Sequence, residues 1–236
     1  GESEAILGAV LESEGMSFEI VSKFPRDVDP RQLKDTLQGT LRRLRMPRIK
    51  AYLAHDSACL RNTTIQEQLA CAKDQGLISQ FGVSVYSPDE LHQLMDRGPA
   101  FDMVQLPLNV FDQRFRTMLP ELKRRGVEVH VRSVFLQGLF FLEPERLSPH
   151  FDRVRSKLTG LRRLAEEHRI PLSALLLGYA MAQPDVDRIV IGVTSIDELR
   201  ENLAAGAHAA RCRELLSQLD ALAVSDEDIL VASNWR

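Results

Sequence analysis

The sequence has few cysteines, one tryptophan, three tyrosines and no long apolar run. Its cysteines, Cys59, Cys71 and Cys212, are odd in number and widely spaced. No CxxC pair or Cys/His cluster accompanies them, which argues against a disulfide framework and against a structural metal; no metal site is expected. A reducing, cytoplasmic setting is the expectation. No apolar stretch reaches the roughly 18 residues of a membrane span. Basic excess is missing too. The formal net charge is -3, so the chain lacks the field that nucleic-acid binding needs. Its basic clusters, LRRLR (41–45) and LKRRG (122–126), fall near expected helix ends, where they complement the helix dipole. No G-x-G-x-x-G turn is present, which weakens a Rossmann reading. The chain does not begin with Met, and a missing upstream segment is expected, with any targeting signal it carries.

What is present is an alternation of element types in an ordinary globular composition, 44% hydrophobic and 27% charged. Helical spacing runs over 3–11, with Ser3 as N-cap, then a strand over 18–23. A helix over 30–45 carries Leu33, Leu37, Leu41 and Leu44 on one face. A strand (49–54), a helix (64–75) and a strand (78–85) follow. SPDELHQLMDRG (87–98) reads as a capped helix closed by Gly98. Beyond it come a strand (101–108), a helix (114–125) and a strand (127–135). After a looser stretch near 140–150, helical sequence continues to 182, broken at Pro171. A strand (187–194), a helix (195–206) and a last helix (208–222) complete the pattern.

Six strand-then-helix units behind an orphan helix predict a parallel sheet, either doubly wound and open or most of a (β/α)8 barrel. Lys23, His55, Ser84, Gln105, Arg132 and Thr194 fall at or near C-terminal strand ends, where barrels build their functional mouths. Packing alone does not account for that recurrence, and it favours the barrel.

Five segments, in order, resemble the aldo-keto reductase family along nearly the whole chain. GxSExxLG at 1–8 is similar to the segment after that family's catalytic tyrosine. VSKF (21–24) resembles the strand bearing its catalytic lysine. LRRLRMPRIKAYLAH (41–55) resembles the helix–strand pair ending in its catalytic histidine. FGVSVY (81–86) and VIGVTSIDELRENLAA (190–205) resemble its serine-bearing strand and its cofactor-closing segment. A weaker similarity points to a bacterial subgroup associated with surface polysaccharides.

The resemblance implies a single α/β domain over 1–236, a (β/α)8 TIM barrel with six of eight units in this chain and the first two strands upstream. It implies reduction of an aldehyde or ketone, sugar-derived in the subgroup reading, with hydride from a nicotinamide cofactor. The catalytic residues are then Lys23, tuning an upstream tyrosine acid, and His55, orienting the carbonyl. Ser84 and Gln105 match the carboxamide-binding residues, but the usual asparagine partner is Val85. Arg132 replaces the aromatic that stacks on the nicotinamide. Ser133, Phe135 and Gln137 fall in the pyrophosphate-contacting stretch. Gly192, Thr194, Ser195, Glu198, Glu201 and Asn202 fall in the segment that closes over the adenosine. There Thr194 and Ser195 begin a helix whose free N–H groups favour an anion. A carboxylate at Glu198 suits a free 2′-hydroxyl, so NAD(H) is expected over NADP(H). The alternative is a nicotinamide- or partner-binding protein on the same scaffold without efficient turnover, motivated by Val85, Arg132 and the missing tyrosine. Expected partners are a small carbonyl compound, and neither nucleic acid nor membrane.

Overall fold

The computed structural model describes residues 2–235. Gly1, the first residue of the GxSExxLG segment, lies outside them. The chain forms two compact units, one reaching to Gln105 with Gly126–Glu128 added, the other holding Leu106–Arg125 and everything from Val129 onward.

In the first unit, α1 (Ser3–Ser13) is followed by β1 (Val21–Phe24), α2 (Leu33–Leu44), β2 (Ile49–Ala54), α3 (Thr63–Asp74), β3 (Ile78–Ser84), α4 (Pro88–Arg97) and the start of β4 (Met103–Pro107). β1 pairs with β2, β2 with β3 and β3 with β4, all parallel. Helices supply each crossover, as parallel pairing requires. The leucine stripe read on α2 is buried at Leu33, Leu37, Leu41 and Leu44. Ser87 and Glu90 close a reciprocal capping box at the start of α4. Ser3 is helical instead of capping; Glu2 precedes the helix without a side-chain cap.

α1 lies tightly on α2. A Cβ on Gly8 would stand 2.3 Å from the Arg43 carbonyl oxygen, so only glycine permits that approach. Glu4 fastens the contact by accepting from Ser22 Oγ at 2.5 Å and from Arg43 Nε at 2.8 Å.

The second unit holds α5 (Leu119–Arg124), β5 (Glu128–Arg132, entering at Val129), α6 (Asp152–Glu167), α7 (Leu172–Met181), β6 (Arg188–Ile189), α8 (Ile196–Ala204) and the short helices α9 (Ala209–Glu214), α10 (Leu216–Asp220) and α11 (Glu227–Leu230). β5 and β6 pair parallel. The strand read over 187–194 is cut to two residues. The helix read over 208–222 is divided at Leu215 between α9 and α10.

One clamp recurs in both units. An aspartate just before a strand accepts a backbone N–H from the neighbouring strand and a lysine from the last turn of a helix. Asp102 holds Phe81 N at 3.0 Å and Lys73 Nζ at 2.8 Å. Asp187 holds Val129 N and Lys123 Nζ, both at 2.7 Å. These clamps sit at the strand starts, the end of such folds devoted to stability.

Candidate functional site

Strand alternation decides which residues share a face. Val21, Ala51, Leu53 and Met103 pack into one apolar cluster, and every second residue onward continues that face. The next positions are Lys23 on β1, His55 just past β2, Ser84 on β3 and Gln105 on β4. Register agrees: Lys23 pairs with Leu53, Leu53 with Gly82 and Gly82 with Met103, while Ser84 pairs with Gln105 one layer higher. The ladder thus sets His55, Ser84 and Gln105 in one row above the apolar cluster.

Lys23 spans β2 to reach that row, its Nζ donating to Ser84 Oγ at 3.3 Å. Ser84 is fully buried and Gln105 nearly so. His55 is half-buried, yet its Nδ1 is shielded and has no hydrogen-bond partner among the described residues. A shielded imidazole nitrogen without a partner is a rare feature that calls for a functional or structural reason. The Tyr86 ring lies 6.5 Å from that of His55, nearly parallel, with the Arg26 guanidinium 5.8 Å from its centroid on Tyr86. Val85 is fully buried, and its N–H donates to Gln105 O, so this position belongs to the sheet ladder. Tyr52 is fully buried against Phe24 on the opposite face, and burial raises its pKa. It is not placed to serve this row.

The remaining candidates lie in the second unit. Arg132 is half-buried at the end of β5, with Nη1 donating to Ser133 Oγ at 3.2 Å. Ser133, Leu136 and Gln137 all have φ between 43° and 60°, and Gly138 has φ 85°. Three non-glycine residues in the left-handed region within five positions form a strained loop, of the kind that gathers at ligand sites. Phe135 is half-buried and packs 5.4 Å from Phe141, while Gln137 is exposed.

Gly192, Thr194, Ser195, Glu198 and Glu201 are exposed, and Asn202 is half-buried. Ser195 caps α8 through Oγ, accepting from Glu198 N at 3.1 Å. The free N–H expected at Thr194 is already taken. Glu198 Oε2 accepts it at 2.6 Å and also receives the Thr194 hydroxyl at 3.0 Å. The Thr194 backbone N–H is the main cause holding this carboxyl below its usual pKa. A carboxylate therefore already supplies the anion that the helix N-terminus favours. Glu201 accepts a hydrogen bond from Ser173 Oγ, which ties α8 to α7. Asn202 lines a cavity of about 410 Å³ with Leu177, Leu199 and Leu203. Because the strand ends at Ile189, Thr194 stands on the loop before α8 and not at a strand end.

Sequence reading missed a buried polar cluster in the second unit. Asn109 and Asp112 are both fully buried, and Arg114 grips both oxygens of Asp112 at 2.9 Å. Its signal was weak: asparagine and aspartate beside a strand end read as an ordinary turn. No group of three or more potential metal ligands is found among the described residues, and no helix among them is long and apolar enough to cross a membrane.

A profile of the Aldo/keto reductase family matches residues 1–223. The uncharacterized oxidoreductase YqkF of Bacillus subtilis (strain 168) is 27% identical over 195 residues, covering 77% of this chain. The chain spans only 62% of that relative's length. The NADH-specific methylglyoxal reductase of Escherichia coli (strain K12) is 23% identical over 248 aligned positions, 92% of this chain and 74% of that protein. Among solved structures, aldo-keto reductase AKR11C1 from Bacillus halodurans in its holo form matches with a TM-score of 0.77 at 22% identity, covering 95% of this chain and 80% of the other. That likeness shows the α/β architecture of the reductase barrel. With a family profile running over nearly all of its length, the chain belongs to the aldo/keto reductase family.

Proposed function

We propose that this chain carries part of the active site of a nicotinamide-dependent reductase of aldehydes or ketones. The observation that carries the reading is the polar row above an apolar cluster: Lys23 bonded to Ser84, with His55 and Gln105 alongside. These groups fit a nicotinamide and a carbonyl. The buried Ser84 hydroxyl and Gln105 amide offer a donor and acceptors to a carboxamide, and the His55 imidazole can donate to a carbonyl oxygen. A bound nicotinamide supplies hydride to the carbonyl carbon.

His55 holds the carbonyl in line and stabilises the charge that gathers on its oxygen. The family resemblance assigns the proton donor to a tyrosine in sequence before Gly1, and Lys23 would supply an ammonium beside it. The ammonium favours the phenolate and so lowers a phenol pKa that is otherwise near 10. The family resemblance assigns Arg132, Ser133, Phe135 and Gln137 to the middle of the cofactor, and Gly192, Thr194, Ser195, Glu198, Glu201 and Asn202 to its adenosine end.

Lys23→Met in the protein that includes the preceding segment should lower turnover of short aldehydes roughly a hundredfold, while NADH still quenches intrinsic fluorescence. Wild-type turnover in both Lys23→Met and His55→Ala would refute the roles of the ammonium and the imidazole.

NADH is the better cofactor on this reading, because the Glu198 carboxylate already occupies the Thr194 amide. A 2′-phosphate brought there would meet a like charge. The E. coli relative is named for its NADH specificity. Fluorescence titration should give NADPH a dissociation constant roughly tenfold above that of NADH, and Glu198→Gln should narrow the ratio. Equal affinities in the wild type would count against it. A second reading, cofactor binding without turnover, draws on Arg132, since a guanidinium there repels an oxidised nicotinamide. Tight NADH binding with no reduction of any carbonyl would favour that reading.

A further inference from the structure

We infer that Asn109 is a positioning residue that sets the shape of the strained 133–138 loop. The inference rests on the proposal that this loop meets the cofactor.

Beyond β4, Leu108 N–H still donates to Arg132 O at 3.1 Å, and then the chain turns. Asn109 controls that turn from a fully buried position. Its Oδ1 accepts from Phe111 N at 2.9 Å and Asp112 N at 2.8 Å, and its own N–H donates to Asp112 O at 3.1 Å. The amide is thereby fixed, and its Nδ2 donates to Ser133 O at 3.0 Å. That carbonyl also accepts Leu136 N at 2.9 Å.

Ser133 has φ 60°, a conformation its side chain disfavours. Two donors on one carbonyl over-determine the orientation of the Ser133–Val134 peptide, as a strained residue requires. Asp112 anchors the turn in its grip on Arg114, whose Nη1 reaches Glu227 of α11 at 2.7 Å. Only an amide serves at position 109. A carboxylate could accept from the turn but would face the Ser133 carbonyl oxygen without a proton to give.

The test uses Asn109→Ser and Asn109→Asp in the complete protein, with Arg116→Ala as control. Arg116 bonds Gln113 and Asp220 in the same unit and does not touch Ser133. In folded Asn109 variants, amide exchange at Leu136 and Gly138 should rise at least about tenfold, and in the control less than about twofold. NADH should weaken roughly tenfold while 5′-AMP, which probes only the adenosine end, keeps its affinity. Unchanged exchange in a folded variant overturns the inference. So does equal weakening of NADH and AMP, which marks a general defect. Should neither variant fold, the wild-type protein decides: an Asn109 side-chain amide proton that exchanges as slowly as Leu136 N–H supports the role, and a fast one refutes it. Faster loop exchange in the variants of a protein that takes up no NADH would uphold the positioning role and remove the cofactor assignment.

Discussion

At the scale of single residues, the polar row above the apolar cluster depends as much on a missing side chain as on those present. Gly82 lies between Leu53 and Met103 in the layer beneath Ser84. A Cβ there would stand 1.8 Å from the Met103 carbonyl oxygen and 3.1 Å from Leu53 Cδ2. Backbone cannot yield as a flexible side chain does, so the strands would have to part. Gly82→Ala should cost roughly 1–3 kcal/mol in urea denaturation. It should also shift the Ser84 hydroxyl off Lys23, weakening NADH; unchanged stability would show that β3 and β4 tolerate the shift. That Lys23, His55, Ser84 and Gln105 stand at or near strand ends was legible in the sequence, because the apolar run that makes each strand is a local property; the register that lines up His55, Ser84 and Gln105 was not. The Asn109 cluster was not legible. Ser133 lies 24 positions from Asn109 and Glu227 lies 113 from Arg114, and no local pattern links them. The occupied N–H at Thr194 was hidden for a different reason. A carboxylate at position 198 suggests a ligand contact, whereas the side chain first satisfies its own helix.

Among the elements, those with a strong apolar period came through closely. The strand read over 49–54 is found at Ile49–Ala54, and the capped helix after Ser87 at Pro88–Arg97. Where the sequence misled, it was by length. The run read over 187–194 is apolar enough for a full strand, but only Arg188 and Ile189 pair, and Val190 and Val193 remain 40% and 41% exposed. Composition reports the capacity to pair, while the length of the ladder depends on neighbours that are remote in sequence. Helix α1 is a different case, because its docking depends on a titratable group. Burial alone would raise the Glu4 pKa, but hydrogen bonds from Ser22 and Arg43 and the charge of Arg43 outweigh it, and the net shift is downward. A depressed carboxyl pKa contributes stability above the unfolded value, near 4.3, that is lost as pH falls through the folded value. Glu4→Gln should therefore lower stability by on the order of 1 kcal/mol at neutral pH, since the carboxylate is only partly shielded. The gap between the variants should close below about pH 4. A gap that persists unchanged into acid would mean that the charge of Glu4 is not what stabilises the contact.

Across the whole molecule, the distribution of apolar surface is uneven, and it bears on how the chain behaves in solution. On α1, Ile6 is 60% exposed and Val10 47%. On α8, Ile196 is 68% exposed and Leu203 75%, with Leu199 at 43% beside the cavity that Asn202 lines. No residue of α8 is buried, although its sequence is amphipathic. Scattered apolar residues are ordinary on protein surfaces, but several on one helix face seek cover. A formal charge of -3 on 236 residues provides little repulsion to keep copies apart. The 236-residue chain alone should therefore associate reversibly, with a sedimentation coefficient that rises with protein concentration, and should enhance the fluorescence of an apolar dye. Replacing Ile196 and Leu203 together by lysine should reduce both signals without changing helical content, because neither residue is buried in the structure. A chain that stays monomeric and leaves the dye dark would show that these faces are covered in solution. If the dye signal survives the double substitution, α8 is not its source, and Ile6→Lys then tests whether the exposed face of α1 is.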